Sequence, residues 1–99
     1  MVNMNYGTST GDLAVGTTTP QAQPAAVTSV TLSPAAAACS VTIFDNKSAA
    51  SGTVIAHLVA PASVSTVCLP LVHPIKALNG LTIVVAGTGA TANVSYVLY

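Results

Sequence analysis

Cys39-Ser40-Val41-Thr42-Ile43-Phe44-Asp45-Asn46-Lys47-Ser48-Ala49-Ala50-Ser51-Gly52-Thr53-Val54-Ile55-Ala56-His57-Leu58-Val59-Ala60 is the stretch that decides the fold class. Its first six residues alternate with a period of two and predict a strand. Cys39, Val41 and Ile43 share one face; Ser40, Thr42 and Phe44 share the other. The polar segment after it holds the turn formers Asp45, Asn46 and Gly52. Residues 53–60 then alternate again, with Val54, Ala56, Leu58 and Ala60 opposed to Thr53, Ile55, His57 and Val59. Apolar side chains stand on both of these faces, so this strand is expected to be covered on both sides.

The same texture extends outward. Val27, Val30 and Leu32 among Thr28, Ser29 and Thr31 read as a strand ended by Ser33-Pro34. Ala35 to Ala38 has the composition of a turn of helix but is too short to hold one unaided. Downstream, Pro61-Ala62 breaks the chain and residues 63–69 alternate again. Pro70 and Pro74 bracket Leu71-Val72-His73, which must lie at a sheet edge or in a loop. Asn79-Gly80 signals a turn, residues 81–86 form a continuous apolar strand expected at a sheet centre, and Gly87-Thr88-Gly89 is a tight turn. The closing strand places Ala92, Val94, Tyr96 and Leu98 on one face. About six strands at a spacing of roughly 8–12 residues predict an all-β chain, a single small antiparallel β-sandwich of jelly-roll or immunoglobulin-like topology. Its expected extent is residues 27–99. Residues 1–26, with Gly7, Gly11, Gly16, Pro20, Pro24 and the run Thr17-Thr18-Thr19, sustain no period. They read as an extended N-terminal arm that lies across a neighbouring subunit.

Charge narrows the function. The chain has 99 residues, of which 4% are charged, against about 25% in an ordinary soluble domain. Two Lys and no Arg cannot neutralise a phosphate backbone, which argues against nucleic acid as a partner. Asp12 and Asp45 are the only acidic residues, too few for a carboxylate metal cage. The N-terminal residues lack the basic and apolar regions of a secretion signal. The apolar runs fall short of the roughly 18–20 residues of a membrane span. The chain therefore reads as made in the cytoplasm, with no membrane partner. A neutral surface rich in Ala, Val and Thr suits contact with other protein, so a subunit of an assembly is expected.

No constellation supports catalysis. His57 and His73 are the only imidazoles and show no metal-ligand spacing with Cys39 and Cys68. The two cysteines could be bridged if their strands stack, but free, buried core thiols are the expectation without a secretion signal. There is no nucleophile elbow, and Gly87-Thr88-Gly89-Ala90-Thr91 lacks the Lys of a phosphate-binding loop. Asn46-Lys47-Ser48 and Asn93-Val94-Ser95 match a glycosylation sequon that is common by chance. Catalytic, cofactor-binding and metal residues are thus expected to be absent, and no cofactor is expected. Contact residues are expected in the arm, at Tyr6, Pro20 and Pro24, and at the terminal Tyr99.

The segment from Ser40 to Ile55, a strand ending in Val-x-Phe-Asp followed by a Ser/Gly loop and Gly52-Thr53, resembles a pattern of small tailed-bacteriophage virion proteins. Asn79-Gly80-Leu81-Thr82-Ile83-Val84-Val85, the loop 87–91 and Val94-Ser95-Tyr96 are similar to that group's C-terminal ending. The resemblance covers roughly residues 39–99 and has no catalytic residue to anchor it. It implies a β-sandwich virion component without enzymatic activity. The expected role is a capsid decoration or cement subunit that binds the major capsid protein. It would assemble as a homo-oligomer, a trimer where three capsomers meet. A tail, neck or head-fibre module is the alternative.

Overall fold

The computed structural model describes residues 8–35, 37–61 and 67–98. The described chain is all β, in two antiparallel sheets. Strands β1 (Thr8–Ser9), β2 (Leu13–Ala14), β3 (Gly16–Gln21), β4 (Ala25–Ser33), β5 (Cys39–Asp45), β6 (Val54–Ala60), β7 (Val67–Ala77), β8 (Leu81–Ala86) and β9 (Thr91–Leu98) follow in chain order. One sheet runs β1-β9-β4-β7, with β2 also on β9; the other runs β3-β8-β5-β6.

This strand order separates the two expected topologies. The chain passes from the first sheet to the second and back at nearly every connection. Among the described strands only β5 and β6 are consecutive neighbours within one sheet. If β1 and β2 together count as one interrupted strand, the eight positions follow the two interleaved Greek keys of a jelly roll. The protein is therefore a jelly-roll β-sandwich, and the immunoglobulin-like alternative falls away.

The boundary expected between residues 26 and 27 is corrected. Thr8 and Ser9 lie opposite Tyr96 and Ser95, and Leu13 and Ala14 lie opposite Ala92 and Thr91. β3 pairs with β8, from Gly16 opposite Val85 to Gln21 opposite Leu81. Ala25 and Ala26 are buried at the start of β4. Residues 8–26 therefore belong to the sandwich. β1 and β2 are too short to show a period, and Gly16 and Pro20 interrupt that of β3. Nor does a helical turn form near Ala35; no helix occurs among the described residues.

The core lies between the sheets. Val27, Val30 and Leu32 of β4 and Val94 of β9 face Val41 and Ile43 of β5 and Leu81, Ile83 and Val85 of β8. Each fully buried Leu or Ile stabilises the fold by about 1.5–3 kcal/mol relative to exposure. The expected inward faces of β5 (Cys39, Val41, Ile43) and of β9 (Ala92, Val94, Tyr96) are both buried. β8 is central, as its continuous apolar run predicts, with β3 and β5 on either side. β7, which holds Pro70 and Pro74, is an edge strand, one of the two places its prolines allow.

β6 departs from expectation. It is the edge of its sheet, and its outer face is not covered: His57 is exposed and Val59 is 59% exposed. Ile43 lies opposite Ala56 but Phe44 lies opposite Val54, so Ile55 is the extra residue of a β-bulge. The bulge turns Val54 outward, where it is 49% exposed, while Ala56 and Ala60 stay inside. An unbroken period of two places Val54 with Ala56; the skipped partner breaks that phase.

Candidate contact surface

The two outer faces of the sandwich differ in chemistry. Outside the β1-β9-β4-β7 sheet stand mainly polar side chains, Ser29, Thr31, Thr91, Asn93 and Ser95, with Cys68 and Val97. Outside the β3-β8-β5-β6 sheet Phe44, Val59, Val84 and Ala86 stand among Thr17, Ser40, Thr42 and His57. Apart from Asp45 at the end of β5, these four strands contain no Asp, Glu, Lys or Arg. An uncharged face bearing aliphatic and aromatic side chains resembles the core of a protein interface more than a solvated surface. His57 is exposed on this face, and its Nδ1 lies 2.8 Å from the Oγ1 of its cross-strand partner Thr42.

One end of this face is built by polar loops. Asn46 Oδ1 accepts the backbone N–H groups of Ser48 and Ala49 at 2.9 Å each, and its Nδ2 donates to Ser51 O at 3.1 Å. This Asx turn is why the Asp45–Asn46 pair starts a loop. Asp45 Oδ1 accepts the N–H of Asn79 at 2.8 Å and ties the β7–β8 turn to the β5–β6 loop. Thr82 points outward yet is fully buried beneath that loop. Its hydroxyl donates to Asn46 O at 2.9 Å, so Thr19 Oγ1, 3.1 Å away, is the donor in their contact. The loops enclose a shallow polar depression of about 260 Å³ lined by Asp45, Asn46, Lys47, Ser48 and Asn79. No aromatic side chain lines it.

The residues singled out in the sequence fall in separate places. Tyr6 and Tyr99 lie outside the described residues. Pro20 is half-buried in β3, and Pro24 is exposed in the connection to β4. The structure does not bring these two residues to the uncharged face as a cluster. His57 is in β6 and His73 in β7, on opposite sheets. Among the described residues no three His, Cys, Asp or Glu side chains group as metal ligands. Cys39 is buried and Cys68 exposed, and both thiols are free. The expectation of two buried thiols is corrected for Cys68: its neighbours Val67 and Leu69 take the inward positions of β7 and turn it out.

The residues that define the uncharged face were not singled out from the sequence. Phe44, Val59 and Val84 are outward apolar positions of three separate segments, and they become one surface only once the strand order places those segments side by side. No protein-family model, curated protein or solved structure matches the chain.

Proposed function

We propose that this chain is a structural virion protein, a capsid decoration or cement subunit that binds and stabilises the shell of the major capsid protein. The observation that carries the reading is the jelly-roll strand order. Viral capsid domains use this architecture, as do lectins and cupins. Fold alone does not assign function, and two further features favour an assembly. The sequence resembles small tailed-phage virion proteins over roughly residues 39–99. One outer face is uncharged and carries exposed aliphatic side chains.

On this reading the protein acts by burying apolar area across capsomer joints and has no catalytic role. At about 25 cal/mol per Å² of apolar surface, a modest gain per copy multiplies over a shell. It assembles with itself and with the capsid protein, and its location is the virion. The polar depression beside Asp45 favours a second reading, a tail, neck or head-fibre module, because carboxylate, amide and hydroxyl groups converge there.

Immunogold electron microscopy of purified phage particles encoding the chain tests both. Gold spread over the head is the expected result. Gold confined to the tail or neck selects the second reading. No gold, with no peptide of the chain in mass spectra of the same particles, overturns the virion assignment.

A further inference from the structure

We infer that β6 is a self-pairing edge, across which two copies of this chain join their β3-β8-β5-β6 sheets into one antiparallel sheet about a two-fold axis. The pairing does not depend on the virion reading.

A sheet edge presents unpaired N–H and C=O groups and is normally blunted against association. Three of the four edges here are blunted. The β1/β2 edge is cut into two dipeptides with Asp12 close by. β3 contains Pro20 and a register shift between Thr18 and Gln21. β7 contains Pro70, Pro74 and Lys76. β6 has no proline and no charged residue, and its one irregularity, the bulge at Ile55, sits at its start. Beyond the bulge, Ala56-His57-Leu58-Val59-Ala60 pairs regularly with β5 on one side. On the other side no described strand pairs with it.

These five residues are complementary to themselves when run antiparallel about Leu58. Ala56 meets Ala60 of the second copy, Leu58 meets Leu58, and His57 meets Val59. Directly opposed residues in an antiparallel pair share a face. The Ala and Leu contacts therefore extend the inner face, and the His and Val contacts extend the outer one. No like charges oppose each other. Leu58 carries the second argument. It packs against the core but is only partly buried, at the open side of the sandwich. Placing a second Leu58 against it completes its burial. Val59, 59% exposed, would be covered by the same step.

The test is sedimentation velocity of the full chain at about 100 µM, above the roughly micromolar Kd of a small but specific interface. The expected mass is twice the 9.7 kDa of one chain. Val59→Lys, at a position exposed in the single chain, should raise the dimer dissociation constant at least about tenfold, with a melting temperature unchanged at dilutions where both proteins are monomeric. Leu78→Lys, at a residue 65% exposed on the β7–β8 turn, should leave it unchanged. Leu58→Cys in a Cys68→Ser background should form a disulfide-linked dimer on mild oxidation, while Leu78→Cys in the same background should not. A monomer at this concentration overturns the inference. So does a dimer that survives Val59→Lys, or one cross-linked equally from residue 78.

Discussion

Replacing Gly87 by Ala adds a methyl group between the β8–β9 turn and the start of β5. Gly87 has φ of +112°, a region that L side chains rarely adopt. An added Cβ would lie 2.6 Å from Ala38 O, 2.6 Å from Cys39 Cβ and 2.7 Å from Cys39 Cα. Two of these atoms are backbone, so relief requires the turn and the β5 start to separate. Backbone strain costs about 1–3 kcal/mol and overpacking about another 1–3 kcal/mol. Against roughly 5–15 kcal/mol for a whole domain, this is a large loss. Gly11 is the control: its φ is +73° and nothing lies within 4 Å of an added Cβ. Gly11→Ala thus retains the φ penalty without the steric one. At about 4–8 °C per kcal/mol for a chain of this size, Gly87→Ala should melt at least about 10 °C below wild type, and below Gly11→Ala. Thermal unfolding followed by far-ultraviolet circular dichroism measures both. Equal melting temperatures for the two variants would refute the close approach of the turn to β5.

Ile83→Ala removes a fully buried side chain of the central strand and should cost about 2–5 kcal/mol in urea unfolding. Thr82→Val keeps the shape but leaves Asn46 O without its hydroxyl donor; a loss of about 1–2 kcal/mol is expected by the same assay. Asp45→Ala removes the acceptor for the Asn79 N–H, and faster amide hydrogen exchange at residue 79 should report it. Titration of the native protein with a thiol reagent should modify Cys68 quickly and Cys39 only after unfolding; two fast thiols would contradict the burial of Cys39.

The legible part of this fold was the part with unbroken alternation. β5 and β9 could be phased from sequence because every second residue is apolar and the partner register is uninterrupted over most of their length. The prolines of β7 restricted it to an edge or a loop for a plain reason: proline cannot donate into a ladder on both sides. β1 to β3 escaped detection because two-residue strands cannot show a period, and because Gly16 and Pro20 carry loop signals into a paired strand. The phase of β6 failed at Ile55, where a bulge adds one residue that no local pattern announces. The contact surface escaped for a different reason. It is assembled from β5, β6 and β8, and adjacency of β5 with β8 is a property of the jelly-roll order, not of any one segment.

The same order connects composition to association. The core is filled largely by Ala and Val, with Leu32, Ile43, Leu81 and Ile83 as its largest fully buried aliphatic side chains. A small domain leaves a large share of its surface exposed, and its core alone gives narrow stability. With 4% charged residues, little of that surface can be protected by charge. The structure distributes the protection unevenly: Ser, Thr and Asn predominate on the β4–β9 face, prolines or interruptions blunt three edges, and β6 with the face beside it is left neutral, with Phe44, Val59 and Val84 among its outward side chains. If solubility of the single chain were the only constraint, a lysine at position 59 would be the simplest correction. Val59→Lys therefore separates two causes. A variant that stays folded, becomes more soluble and no longer self-associates assigns the apolar edge to assembly. A variant that loses stability even at dilutions where wild type is monomeric assigns Val59 to the fold of the single chain, against its 59% exposure.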